Sequence, residues 1–182
     1  MADAFASLVS LACHDLRTPL ATVQGFAKTM LRMDELDDEK RARYLGLIDN
    51  ASDELAALLD LLSLAARIDG GRYDPVLRDG DSLLLAPEGA TGKGTMVQVD
   101  PEPVTRALAA IARAASRHGG VDVAVSVDGA QVSYEPVVAD AAPIVLGESH
   151  KDLGSAVAVR LLRAIGGTVE LDGERLLVTL PT

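Results

Sequence analysis

The stretch "ACHDLRTPLA" (residues 12–21) lies within a long amphipathic pattern and decides how the N-terminal third folds. Apolar residues recur at helical spacing from Asp3 to Met33, which predicts one long helix with a single apolar stripe. The stripe comprises Phe5, Leu8, Val9, Ala12, Leu16, Leu20, Val23, Ala27 and Met30. At about 100° per residue, His14 points roughly 170° away from this stripe. We therefore expect the imidazole of His14 to face solvent.

Pro19 falls inside the predicted helix, one turn after Asp15. Proline has no N–H, so the carbonyl of Asp15 loses its helical donor, at a cost of about 3 kcal/mol. The ring also predicts a bend within one turn of His14. Such a cost beside an exposed histidine suggests a functional site.

A second helix is predicted to begin after an N-cap at Asp37 or Asp38 and to run to about Ile68. It carries two apolar stripes, which are Leu45, Ile48, Ser52, Leu55, Leu59, Leu62, Ala66 and, beside them, Tyr44, Leu47, Ala51, Leu58, Leu61, Ala65. One partner helix cannot cover both stripes. The pattern predicts an antiparallel helical hairpin that dimerises into a four-helix bundle.

The chain changes character after "DGGRYDP" (69–75), which is typical of a linker. The predicted strands are "SLLLAP", "TMVQVD", "VDVAVSVDG", "AQVSYEP" and "RLLVTLP", and the predicted helices lie within 99–120 and 152–167. The fold class is therefore α+β, with domains at 1–70 and 71–182, the second a small α/β sandwich with a mixed sheet. "EGATGKGT" (88–95) lacks the spacing of a phosphate loop and is interpreted as a flexible hairpin loop.

Composition limits the partners and the cellular setting. The 182 residues carry a formal net charge of −10, which disfavours nucleic acid as a partner. No signal peptide or membrane span is evident, so we expect no membrane association unless the chain is a fragment of a membrane receptor. The single cysteine, Cys13, excludes an intrachain disulfide and favours a cytoplasmic setting.

The chemistry available to His14 is narrow. His118 and His150 lie far along the chain, so no metal-ligand spacing is evident, and nothing indicates a hydrolytic triad. A free imidazole nitrogen is a nucleophile toward phosphorus, provided that the other nitrogen keeps its proton. The adjacent Asp15 could fix that tautomer.

"HDLRTPL" (14–20) resembles, at every position, the phosphoacceptor box of two-component sensor histidine kinases. The resemblance covers residues 5–71 and implies a homodimeric helical bundle. By this resemblance His14 carries the phosphoryl group, Asp15 assists transfer as a hydrogen-bonding base, and Thr18 orients a water for dephosphorylating a partner. Partner docking would use the outward face of the first helix near His14 and the lower part of the bundle, with Arg17, Thr18, Phe26 and Leu62.

The C-terminal half resembles the ATPase domain of the same family without its nucleotide-binding residues. Alanine stands at both asparagine positions of the family's Asn box, including Ala114. The glycines of the next box, Asp-x-Gly-x-Gly in the family, are absent. The last box keeps Gly154 but begins at Asp152, whose charge would repel phosphates. We therefore expect no ATP binding, no cofactor of its own and no metal site.

This combination resembles the dimeric histidine phosphotransferases of bacterial phosphorelays. It implies transfer between response-regulator receiver domains, with an upstream hybrid histidine kinase as the source and Mg²⁺ held in the receiver. Two alternatives remain open, namely an ATP-dependent sensor histidine kinase with a divergent ATP site and a non-catalytic pseudokinase regulator.

Overall fold

A computed structural model describes residues 2–33, 37–149 and 151–182, with the side chains of residues 2–5, Phe5 among them, left out. His150 lies outside the described residues. The chain divides into two compact units, one ending at Ser63 and the other running from Leu64 to Thr182. The division falls inside the second helix, several residues before the linker that the sequence suggests.

The first unit is built on a helical hairpin, as predicted. Helix α1 spans Ala2–Arg32 and α2 spans Asp38–Asp69. Helix α1 continues without interruption through Pro19, whose ring is buried. Asp37 caps α2, because its carboxylate accepts a hydrogen bond from the Lys40 amide at 2.7 Å.

The predicted apolar stripe of α1 lies mostly on its covered side. Leu8 and Ala12 are fully buried, whereas Leu20 is 44% exposed. Phe26 reaches across to α2, where its ring centroid lies 5.2 Å from that of Tyr44. This aromatic contact ties the two helices together near the turn of the hairpin.

The two stripes of α2 differ in exposure. Ala51, in the stripe that includes Tyr44, is buried. In the other stripe Leu45 and Leu59 remain 51% and 53% exposed. One stripe is thus covered within the chain, and the other is left open.

The second unit contains two sheets and four helices among the described residues. The strands are β1 (Arg78–Asp81), β2 (Thr91–Gly94), β3 (Met96–Val99), β4 (Ala124–Gly129), β5 (Gln131–Glu135), β6 (Thr168–Asp172) and β7 (Arg175–Thr179). The helices are α3 (Ser82–Leu85), α4 (Pro101–Gly119), α5 (Ala142–Val145) and α6 (Leu153–Ala164). β1 pairs antiparallel with β3, and the larger sheet has the order β2-β4-β5-β7-β6. Only the β2–β4 pair of the described ladders is parallel, so the larger sheet is mixed, as predicted.

The core of this unit is aliphatic and lies around α4, α6 and the central strands. Leu108 and Ile111 of α4, Leu162 of α6 and Val178 of β7 are fully buried. The buried Tyr134 hydroxyl donates to the Leu108 carbonyl at 3.1 Å, and burial raises the pKa of this phenol. The polar group is therefore satisfied and neutral inside the core.

The structure corrects two local predictions. "SLLLAP" is not a strand, because the Asp81 carboxylate accepts from the Leu83 amide at 2.8 Å and starts the short helix α3. "EGATGKGT" is not a free loop, because it contains β2. Gly92 has φ +119°, and a Cβ there would overlap the Val127 carbonyl, so glycine permits the close approach of β2 to β4.

The other predicted elements are confirmed with small shifts of their ends, and three were missed. The strands β3, β4, β5 and β7 and the helices α4 and α6 occur where the sequence indicates them. The missed elements are β1, β6 and α5. The first is rich in Asp and Arg, and the second follows a Gly pair that we assigned only as a helix end.

Candidate functional site

His14 lies on the open side of α1, as its angle to the apolar stripe predicts. Its side chain is 77% exposed. Cys13, Arg17 and Thr18 around it are exposed as well, whereas Ala12 and Pro19 face the covered side. The imidazole is thus presented on a rigid helix to whatever approaches from solvent.

The neighbouring carboxylate determines which imidazole nitrogen is available. His14 Nδ1 lies 3.2 Å from Asp15 Oδ1, at hydrogen-bond distance. Because an ionised carboxylate only accepts hydrogen bonds, this contact requires the proton on Nδ1. Nε2 then keeps its lone pair and faces solvent. This arrangement is what a nitrogen nucleophile needs.

Thr18 and Arg17 lie on the same exposed side as His14, one turn further along α1. The Thr22 hydroxyl donates to the Thr18 carbonyl at 3.2 Å. This bond adds a side-chain donor in the turn where Pro19 removes a backbone donor. The Thr18 hydroxyl and the Arg17 guanidinium therefore lie on the same exposed side of α1 as the imidazole of His14.

Phe26 and Leu62 do not join this cluster. Both are half-buried, and Phe26 packs on Tyr44 within the hairpin. The periodicity that places His14 outward places Phe26 toward α2. The proposed part of Phe26 and Leu62 in partner docking stays a prediction.

A second cluster joins the end of α4 to the start of α6. The Asp152 side chain, 12% exposed, accepts from the Ser155 amide at 2.8 Å and so caps α6. Its other oxygen lies 3.6 Å from Arg117 Nη1 and 3.4 Å from His118 Nε2. Within the described chain that imidazole nitrogen is buried without a hydrogen bond, so its contact with Asp152 is one of proximity.

The sequence analysis missed these partners of Asp152 and treated the residue only as a repulsive charge. The signal was present, since an Asp three residues before Ser155 at the start of an apolar helix indicates an N-cap. Ala114, the other predicted departure, is buried in the core with no polar atom on its side chain. In the region that resembles a nucleotide site, the chain thus places an apolar methyl and its own carboxylate.

Two searches of the described residues add limits. No group of three or more His, Cys, Asp or Glu side chains is placed to hold a metal ion in that part of the chain. Among the helices that the structure describes, none is both long enough and apolar enough to cross a membrane.

Comparison with known proteins gives three findings. Residues 6–71 match the family model of the His Kinase A (phospho-acceptor) domain. Over 64 residues the chain is 34% identical to the probable sensor histidine kinase TcrY of Mycobacterium tuberculosis, which is 35% of this chain and 13% of that protein. The chain thus spans only a small part of the length of this relative.

The third finding concerns the whole fold. The structure of the Acinetobacter baumannii histidine kinase AdeS superposes with a TM-score of 0.65 at 18% identity, covering 92% of this chain and 97% of that one. The second unit therefore has the fold found in a histidine kinase, whatever its chemistry. Together these findings show that residues 6–71 are similar to the phospho-acceptor domain of histidine kinases, and that the chain is similar in fold to a histidine kinase.

Proposed function

We propose that this protein is a histidine phosphotransfer protein of a phosphorelay, which passes phosphoryl groups between receiver-domain aspartates through His14. One observation carries the proposal. The histidine of an intact phosphoacceptor box is exposed, with Nδ1 held by Asp15, in a chain whose α6 N-terminus is capped by its own Asp152. The first feature supports phosphoryl acceptance, and the second argues against ATP as the donor.

The transfer step needs only the groups of the two proteins. The Nε2 lone pair attacks the phosphorus of a receiver aspartyl phosphate in line, a P–N bond forms, and the P–O bond to the aspartate breaks. The leaving carboxylate keeps the electron pair, and Mg²⁺ in the receiver neutralises its charge. The imidazole becomes positive, and Asp15 at 3.2 Å stabilises that charge.

Return of the phosphoryl group to a second receiver is the same step in reverse, so the reaction requires no cofactor of this chain. Thr18, which lies on the same exposed side of α1 as His14, would orient a water against a receiver aspartyl phosphate, and this role would make the protein a phosphatase as well. A Thr18→Ala variant should then slow receiver dephosphorylation severalfold and leave transfer to His14 unchanged.

The residues near α6 fit a Mg²⁺–nucleotide poorly. Ala114 offers no oxygen ligand, and Asp152 puts a carboxylate where the helix N-terminus would otherwise attract phosphate. The proposed transfer therefore does not use ATP.

A second candidate is an ATP-dependent sensor histidine kinase with a divergent nucleotide site. The likeness to AdeS over 92% of the chain favours it, because it extends through the C-terminal unit. In that case His14 would receive the γ-phosphoryl group of ATP rather than the phosphate of a receiver.

Parallel labelling reactions separate the candidates. The protein is incubated either with γ-labelled ATP or with a labelled, phosphorylated receiver domain, and His14→Gln and His118→Gln variants are run beside it. The phosphotransfer proposal expects label only from the receiver, lost in His14→Gln and kept in His118→Gln. Label from ATP would establish the kinase, and no label from either donor would leave a non-catalytic regulator.

The open stripe of α2 supports a homodimer. Leu45 and Leu59 are each about half exposed on a helix whose other stripe is already covered, and apolar stripes of this kind pack into bundles. Leu59→Glu should convert the dimer to a monomer in analytical ultracentrifugation. Asn50→Glu, which adds the same charge at an exposed position of α2, should leave the dimer intact.

The remaining proposals concern partners and setting. Response-regulator receivers would dock on the face around His14, Arg17 and Thr18, with an upstream hybrid histidine kinase as donor. Phe26 and Leu62 would contribute through the shape of the hairpin. A cytoplasmic location without membrane or nucleic-acid binding agrees with the charge of −10.

A further inference from the structure

The segment between the helical hairpin and the first strand of the second unit is unusually well anchored. We call residues 64–77 the connector. It comprises the last turns of α2, the Gly70–Gly71 turn and an irregular stretch that leads to β1. The sequence of residues 69–75 is typical of a linker, whereas the connector makes contacts within the second unit in its helical part, at Tyr73 and at Val76.

The helical part of the connector is attached by packing and by charge. Leu64 and Ile68 pack against the core of the second unit. Asp69 Oδ1 lies 3.7 Å from Arg160 Nε of α6, and the two side chains are mostly shielded from water. Shielding strengthens such a pair relative to a surface ion pair.

The glycine turn is closed by backbone hydrogen bonds. The Gly70 amide donates to the Ala66 carbonyl at 3.1 Å, and the Arg72 amide donates to the Arg67 carbonyl at 2.8 Å. Gly71 has φ +63°, the left-handed conformation that ends helices. The glycines therefore build a defined helix end.

The irregular part is held by Asp100, the residue that precedes α4. Asp100 occupies the N-cap position but makes no side-chain capping bond. Its Oδ2 instead accepts from the Tyr73 hydroxyl at 3.5 Å and from the Val76 amide at 3.3 Å. Asp100 therefore binds residues of the connector instead of capping α4 with its side chain.

Tyr73 is the centre of this attachment. Its ring packs against the core, and the Arg67 guanidinium lies 5.6 Å from the ring centroid. Burial, with the nearby Asp100 carboxylate, raises the pKa of Tyr73, so the phenol stays protonated and able to donate.

We infer that the connector is a fixed strap of the C-terminal unit, latched by Asp69 and Asp100, and that the last turns of α2 move with that unit. The Gly70–Gly71 turn is then a fixed part of that unit rather than a hinge. This inference does not depend on the proposed function, since it concerns contacts within the second unit alone.

Hydrogen–deuterium exchange of the full chain tests the inference. In the wild type, amides of residues 70–76 should exchange at least about tenfold more slowly than unstructured amides. Asp100→Ala removes two hydrogen bonds to a charged acceptor and should speed this exchange about tenfold, with α4 still protected. Trypsin cleavage after the exposed Arg72 should rise in parallel.

Glu102→Ala is the matched control. Glu102 also lies in the first turn of α4, but it pairs with Arg106 on the same helix. It should leave the connector unchanged. Equal acceleration in both variants, no acceleration in Asp100→Ala, or unstructured exchange in the wild type would each overturn the inference.

A second variant covers the case in which Asp100→Ala disturbs α4 itself. Tyr73→Phe removes only the hydroxyl that donates to Asp100. It should raise exchange in residues 70–76 severalfold, and unchanged exchange there would count against the strap.

Discussion

Two histidine–aspartate contacts of this protein combine the same functional groups in opposite environments. His14 and Asp15 sit side by side on one helix, with Nδ1 3.2 Å from Oδ1, and the imidazole is 77% exposed. His118 and Asp152 come from two helices, with Nε2 3.4 Å from Oδ2, and the imidazole is 23% exposed. The first leaves a nitrogen free toward solvent, whereas the second encloses its nitrogen in the protein.

The comparison shows that burial, rather than residue type, separates the pair proposed to react from the pair inside the protein. Among its described contacts Asp15 caps no helix and is hydrogen-bonded only to His14. Asp152 caps α6 and also contacts Arg117. A carboxylate with several internal partners has little capacity left for a ligand. Single substitutions can disrupt one of these two contacts at a time.

The largest effect should follow from exchanging the histidines for glutamine. His14→Gln removes the nucleophile, so labelling from a phosphorylated receiver should fall at least about a hundredfold, while the unfolding free energy changes by less than about 0.5 kcal/mol. His118→Gln should keep the label and lower that free energy by about 1 kcal/mol. Scintillation counting and urea titrations measure the two. The reverse pattern would mean that the two pairs have been assigned the wrong way round.

The next effect concerns the core that holds the second pair in place. Leu108→Ala in α4 should lower the unfolding free energy of the C-terminal unit by about 3 kcal/mol, because it leaves a cavity at a fully buried position. Leu84→Ala, at an exposed leucine of α3, is the control and should stay within about 0.5 kcal/mol. Chemical denaturation followed by circular dichroism distinguishes them. Similar values for both would argue against the described core.

Asp152 can be dissected by two substitutions of different severity. Asp152→Ala loses the cap of α6 and the contacts with Arg117 and His118, and should cost about 1–2 kcal/mol of unfolding free energy. Asp152→Asn keeps an oxygen for the Ser155 amide and should cost about half as much. Thermal and urea unfolding provide the measurement. If Asp152→Asn lowers the unfolding free energy as much as Asp152→Ala, the charge of Asp152 contributes more than its capping hydrogen bond.

The smallest effect is the pH dependence of the cap on α2. The hydrogen bond from the Lys40 amide lowers the pKa of Asp37 below 3.8, with the Lys40 side chain contributing. The folded state therefore gains stability from this group above its unfolded pKa and loses it as the pH falls through the folded value. The helical signal of the hairpin should weaken slightly between about pH 5 and pH 2. Asp37→Asn, which has no titrating group at the cap, should show a smaller change over the same range.

Much of the hairpin could be predicted from the sequence, because helical periodicity is a local property. The stripe of α1, the outward direction of His14 and the Asp37 cap all follow from spacing and residue type. Leu20 is the exception, since it belongs to the predicted stripe but is 44% exposed.

The C-terminal unit was predicted less well. Apolar strands and Gly-ended helices were found, but β1 and β6 were missed and β2 was assigned as a loop, because these strands are short or polar. Their pairing comes from neighbours that are distant in sequence.

The sequence by itself predicted the helical hairpin and the chemistry proposed for this protein, because helical spacing and the motif at 14–20 are properties of nearby residues. The tertiary structure alone decided that the capping residue Asp152 also contacts Arg117 and His118, and that Asp100 holds Tyr73 and Val76 of the connector. The physical reason is that such contacts join side chains 24 to 35 positions apart. No local pattern specifies them, since only the packing of the core brings those positions together.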